Sequence, residues 1–88
     1  MVSWTVILSR QAVKDAQKLA RAGYRPQAER LLKLLEVNPY TVPPPYEKLT
    51  GDLRGFYSRR ITIQHRLIYR ILEEDRTVHI VRMWSHYE

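Results

Sequence analysis

The apolar residues of this chain change period, and the change limits the folds open to it. Between residues 10 and 37 they recur at helical spacing. Ala12, Val13, Ala16, Leu19 and Ala20 form one stripe, and Ala28, Leu31, Leu32, Leu34 and Leu35 form a second. Ser9 can cap the first helix, Gly23 is placed to end it, and Pro26 suits the first turn of the next. The short break at Gly23-Tyr24-Arg25 favours an antiparallel helix pair, which Asn38-Pro39 stops. On either side of this pair the period is two. Val2, Trp4, Val6 and Leu8 alternate with Ser3, Thr5 and Ile7 as a first strand. Three more strands are expected over about residues 54–63, 65–72 and 76–84, with Glu73-Glu74-Asp75 joining the last two. Alternation would put Val78, Ile80, Arg82 and Trp84 on one face of the final strand, and His79, Val81 and Met83 on the other. The expected domain is therefore α+β, in βααβββ order. Its two N-terminal helices pack on one face of a twisted, mainly antiparallel sheet.

At 88 residues the chain is expected to form one domain, residues 1–88, with a single modest core. Residues 39–46, PYTVPPPY, read as a stiff extended connector of polyproline II type that delivers Glu47 with little slack. Thr50-Gly51-Asp52 is a turn signal. No apolar run approaches the ~20 residues of a membrane span, and the N-terminal apolar stretch is too short for a signal peptide. With no cysteine, thiolate chemistry and disulfides are excluded, which suits a cytoplasmic setting.

Charge narrows the function. The net charge is +6 and the pI near 10.0, which points to a polyanionic partner, nucleic acid first. All four lysines precede residue 50, and every later Lys/Arg position is arginine, whose planar fork grips phosphate through two hydrogen bonds. Residues 55–69, GFYSRRITIQHRLIY, combine Arg59, Arg60, Arg66 and His65 with aromatics and carry no acid. Three scattered histidines without His-x-x-x-His spacing argue against a zinc site, and the lack of a Gly-rich phosphate loop argues against a nucleotide cofactor. Neither metal nor cofactor is expected.

The strings PPYEKLTGDLRGFYSRRITIQHRLIYRI and VRMWSHYE closely resemble the YoeB/Txe toxins of bacterial toxin–antitoxin modules, within the RelE/ParE superfamily. The similarity is dense from about residue 38 to the end and weaker before it. It implies a RelE-like fold and a ribosome-dependent endoribonuclease acting on translated mRNA without metal. The implied partners are a cognate antitoxin, the ribosome and mRNA; a homodimer, or a hetero-oligomer with the antitoxin, is left open. Matched residue by residue, the resemblance makes Glu47 the general base, Arg66 the group at the scissile phosphate and Arg60 a phosphate contact. His86 is then the general acid, and Tyr87 a stacking or phosphate-orienting group. Lys48 and Arg59 are carried as further RNA-contact candidates, Arg59 pointing away from Arg60 with antitoxin contact as its other role. Thr50 stands where many YoeB-like chains have lysine, Trp84-Ser85 replace a basic and an aromatic residue, and Glu88 follows the His-Tyr pair.

RNA is cut without metal when its own 2′-hydroxyl attacks the adjacent phosphate. A base takes the 2′ proton, an acid protonates the departing 5′ oxygen, and cations hold the charge growing on phosphorus. Glutamate, histidine and arginine supply these three roles. His65, a strand neighbour of Arg66, is read as structural, and Phe56 and Tyr57 as core or base-stacking groups. Arg10, Lys14, Lys18, Arg21, Arg25, Arg30 and Lys33 are read equally as ribosomal-RNA contacts or as solvated helix faces. A ParE-like toxin that inhibits a topoisomerase by binding is the alternative function. No DNA-reading helix motif is seen.

Overall fold

The computed structural model describes residues 3–85. Strand β1 (Thr5–Leu8) leads into helices α1 (Arg10–Arg21) and α2 (Arg25–Val37). Strands β2 (Tyr46–Lys48), β3 (Tyr57–Arg60), β4 (Arg66–Leu72) and β5 (Thr77–Ser85) follow. The five strands form one sheet in the order β1-β5-β4-β3-β2, with β1 parallel to β5 and every other pair antiparallel. The expected α+β architecture is observed, with one strand more than expected. Strand β2 spans three residues directly after a proline run, too short for any period to show in sequence. The long strand expected near residues 54–63 is shorter in fact. A 3₁₀ turn (Gly51–Leu53) precedes it, and at its end the chain turns at residues 61–65, where Ile61 N–H donates to the His65 carbonyl at 2.8 Å.

The helix boundaries follow local chemistry. Ser9 Oγ accepts from Ala12 N–H at 3.0 Å, capping α1. Gly23, at φ 90°, ends that helix in a conformation that side-chain-bearing residues avoid, and Tyr24 N–H returns to the Leu19 carbonyl at 2.8 Å. Pro26 sits in the first turn of α2, and Asn38 leaves it with an extended backbone. Both helices pack on one sheet face. Ala12, Leu19, Ala28, Leu31 and Leu35 meet Leu67, Tyr69, Val78, Ile80 and Met83 there, with Trp4 at the edge. Val13 and Ala20 of the expected first stripe face outward. Leu49 and Ile68 are also buried but stand outside this core cluster.

The expected alternation of the final strand holds through Ile80 and then breaks. Irregular register between β4 and β5 gives β5 extra residues: Tyr69 pairs with Ile80, but Ile68 pairs with Arg82 and Arg66 with Ser85. Such bulges switch which residues face inward, so Met83 enters the core with Val78 and Ile80, while Arg82 is exposed.

Beyond Ile80, β5 no longer has β1 beside it, and α1 supplies the missing partners. Asp15, 0% exposed, accepts from Met83 N–H and Arg82 Nε, both at 2.9 Å, and from Gln11 Nε2 at 3.0 Å. Burial pushes the Asp15 pKa up, but the hydrogen bonds from Arg82, Met83, Gln11 and the Trp84 backbone outweigh it and hold the carboxyl below its ordinary value. A carboxyl lowered in this way stabilises the fold fully above its unfolded value near 3.8. That contribution fades as pH falls through the lowered folded value. Asp15→Asn should therefore cost about 2 kcal/mol of unfolding free energy near neutral pH. In urea titrations the gap to wild type should shrink as the pH is taken down below 3.8; a gap undiminished in acid would contradict the role given to the ionised carboxylate.

Candidate functional site

Strand alternation sorts the charged residues of β2, β3 and β4. Glu47 stands opposite Ser58, and Arg60 opposite Arg66. Directly opposed residues of antiparallel strands point to the same face, so Glu47, Ser58, Arg60 and Arg66 share the face turned away from the helices. There Arg66 Nη1 donates to Glu47 Oε1 at 2.6 Å and lies 3.4 Å from Ser58 Oγ. The Arg66 side chain is 18% exposed and that of Glu47 60%. A pair this open to water contributes only about 0–1 kcal/mol to stability, so its consequence is positional: cation and carboxylate meet at the rim of a groove. That groove, about 570 Å³, is lined by Glu47, Arg60 and Arg66 with Pro44, Pro45, Ile61 and Thr62. Lys48 falls on the opposite face of β2 by the same alternation and does not line it. His65 is buried off the groove, its ring 4.0 Å from Trp84 and 5.7 Å from Tyr24. His86 and Tyr87 lie outside the described residues; Ser85, the last one described, pairs with Arg66.

The expectation for Arg59 is corrected. It does point away from Arg60, but its side chain is 0% exposed and offers no surface to phosphate or antitoxin. Its Nε donates to Tyr69 Oη at 2.9 Å, Nη1 to the Pro44 carbonyl at 2.6 Å, and Nη2 to the Pro39 and Thr41 carbonyls, both at 2.8 Å. The Tyr46 ring lies 4.9 Å from its guanidinium carbon. A guanidinium is tolerated at such depth because every side of the fork meets an oxygen or a ring face. Burial pushes the Tyr69 pKa up against the opposing pull of Arg59, so the phenol stays neutral and the cation is held by dipoles. The loop it binds is not the expected polyproline II run: Val42–Pro43 and Pro43–Pro44 are cis. The loop is nonetheless tied down along its length. Tyr40 Oη donates to the Glu73 carboxylate at one end, and Arg59 holds the rest up to β2, where Glu47 stands.

The ParE toxin family of type II toxin–antitoxin systems (parDE) matches residues 6–88. The chain belongs to this family. It is 35% identical over 60 residues to Toxin YoeB of Mycobacterium bovis, covering 65% of this chain and 71% of that protein. A solved YoeB/ParE toxin from Agrobacterium tumefaciens matches its fold with a TM-score of 0.83, at 25% identity over 94% of this chain and 99% of that one. The toxin in a YoeB-YefM complex from Staphylococcus aureus matches with a TM-score of 0.78, at 28% identity over 97% and 99% of the two chains.

Of the residues singled out in the sequence of this toxin, the fold brings Glu47, Arg60 and Arg66 together and leaves Lys48 and Arg59 apart from them. Pro44 and Ile61 also line the groove, and the buried Ser58 hydroxyl lies 3.4 Å from Arg66 Nη1. Ser58 stands beside Arg59-Arg60 in sequence, yet only the β2–β3 register reveals that it faces Glu47. Arg59→Met would keep much of the side-chain volume and strand the Pro39, Thr41 and Pro44 carbonyls. At about 1–3 kcal/mol for each buried group left without a partner, it should lose about 3 kcal/mol or more in a urea titration. Amide exchange across residues 40–48 should quicken. A loss below about 1 kcal/mol with unchanged exchange would show that the loop holds without the guanidinium.

Proposed function

We propose that this toxin is a ribosome-dependent endoribonuclease that cuts translated mRNA by attack of the 2′-hydroxyl on the adjacent phosphate. The observation that carries this is the placing of Arg60 directly across from Arg66, with Glu47 bonded to Arg66. Like charges opposed on neighbouring strands repel each other, and among the described residues one carboxylate, Glu47, is bonded to one of the two. A phosphodiester between them would meet two guanidiniums, with a carboxylate already at its edge.

In this reading Glu47 takes the 2′ proton as the 2′ oxygen bonds to phosphorus. Arg66 and Arg60 hold the negative charge that builds on the phosphoryl oxygens. The bond from phosphorus to the 5′ oxygen breaks, and His86 donates the proton that this oxygen needs. The products are a 2′,3′-cyclic phosphate and a 5′-hydroxyl. Ser85 pairs with Arg66 in the β4–β5 register, so the last described residue before His86 stands across from the phosphate-binding arginine. Tyr87 would stack on or orient the RNA. Before RNA arrives, Glu47 and Arg66 satisfy each other; phosphate would draw the guanidinium into a second bond and leave the carboxylate free to accept a proton.

The substrate places the toxin in the cytoplasm with ribosomes. Its inhibitor would be a cognate antitoxin whose acidic segment covers the arginines, in keeping with the YoeB-YefM pairing named for the Staphylococcus aureus relative. A toxin that inhibits a topoisomerase by binding would have no use for the Glu47–Arg66–His86 set. Arg66→Ala should lower the rate of cleavage in a purified translation system by about 10²–10³-fold. His86→Ala should also abolish the primer-extension stops, with both variants folded by circular dichroism. The new ends should be 5′-hydroxyls. Full cleavage by both variants, or 5′-phosphate ends, would overturn the mechanism.

A further inference from the structure

The groove does not end at the proposed reaction centre. A second depression of about 190 Å³ shares Pro44, Arg60 and Ile61 with it and reaches Gln27 and Arg30 of α2. A third, of about 430 Å³, shares Arg30 and Leu34 with the second and continues to Lys33 and Val37. Helical spacing explains the path: residues 27, 30, 34 and 37 recur at three and four, so they line one stripe of α2. From Arg66 outward the cations run Arg60, Arg30, Lys33.

Two features separate this path from an ordinary solvated helix face. First, among the described residues no carboxylate lines the second or third depression, and the only acid of the first, Glu47, is bonded to Arg66. Glu29 is turned away, pairing with Arg25 at 3.0 Å and lining the cleft between α1 and α2. Among the described residues Arg60, Arg30 and Lys33 enter no ion pair. Second, the residues between the cations are mostly apolar, with Gln27, Asn38 and Thr41 polar but uncharged. Pro44, Ile61 and Leu34 lead to Val37, which is 55% exposed at the far end. Cations at intervals along an apolar trough match a single nucleic-acid strand, whose phosphates seek cations while its riboses and base faces pack on apolar surface.

We propose that this trough is the track of the substrate RNA strand beyond the scissile phosphate, with Arg30 and Lys33 each holding a backbone phosphate. The proposal rests on the nuclease reading for the occupant of the first depression; the lining shared from one depression to the next, without acids beyond Glu47 among the described residues, then carries the same strand across α2. Arg30 and Lys33 thereby bind the substrate rather than ribosomal RNA.

The test uses full-length toxin on ribosomes translating a labelled mRNA. Wild-type cleavage, read in parallel, judges the nuclease reading on its own. For the track, photoreactive benzoylphenylalanine replaces Lys33, and the mRNA carries a 2′-deoxy nucleotide at the mapped cut so that the strand stays whole. The expected product is a crosslink to mRNA within a few nucleotides of that position. Cleavage by wild type with a crosslink only to ribosomal RNA, only to protein, or to nothing overturns the track. Absence of wild-type cleavage sinks the nuclease reading itself, and with it a track defined by the cut.

The variant combining Arg30→Ala and Lys33→Ala supplies a second measure. Both positions are exposed and alanine favours helix, so folding is preserved. The log–log salt dependence of its apparent KM should be shallower by about 1.4, or about 0.7 for each single-strand phosphate deprived of its cation, with kcat unchanged. On an mRNA truncated just past the cut, on the side that crosslinks, variant and wild type should coincide. An unchanged slope, or a gap that persists on the truncated message, overturns the proposal.

Discussion

A cation with no anion beside it organises this end of the fold. Arg59 is wholly buried, and among the described residues no carboxylate pairs with it. Its charge is met by one phenol, three loop carbonyls and a tyrosine ring. Charge-assisted hydrogen bonds in a low-dielectric setting are strong, and leaving any of those carbonyls unmatched is costly. Loop 39–45 and the sheet therefore behave as one body. Tyr46 opposes Arg59 in the β2–β3 register, and Glu47, the next residue, is turned to the other face. The lock on one side of the sheet thus sets the position of the carboxylate on the other.

Asp15 answers the same problem towards the other edge of the sheet. Where β1 ends, β5 would expose unpaired backbone; a buried carboxylate from α1 accepts the Met83 N–H and draws Arg82 across the edge. The bulges there change which residues of β5 face the core and bring Ser85 opposite Arg66. One buried cation and one buried anion, on separate elements, therefore frame the strands from which the groove is built. The groove itself is left rich in positive charge, and its Glu47–Arg66 pair is open to water.

Several parts of the fold were legible because they are local. The apolar stripes of the two helices (Val13 and Ala20 apart), the Ser9 cap, the Gly23 stop and the Asn38-Pro39 exit rest on interactions within a few residues, and they are found. Strand β2 was hidden because three residues carry no period. The inward turn of Met83 was hidden because a bulge depends on the neighbouring strand. Opposite faces for Arg59 and Arg60 followed from alternation alone. The burial of Arg59 did not, since it depends on a loop folding over it from 15 to 20 positions earlier in the chain.

By itself the sequence determined the helix pair, the strand-rich second half and the stock of glutamate, arginine and histidine, because periodicity and side-chain chemistry are local properties. It also placed Arg59 and Arg60 on opposite faces. Only the tertiary structure decided which arginine lines the groove and which is consumed as scaffold. It also decided that Glu47 meets Arg66 and that the groove runs on across α2. These outcomes turn on strand register and loop closure between residues distant in the chain, where burial and hydrogen-bond satisfaction rather than local preference set the result.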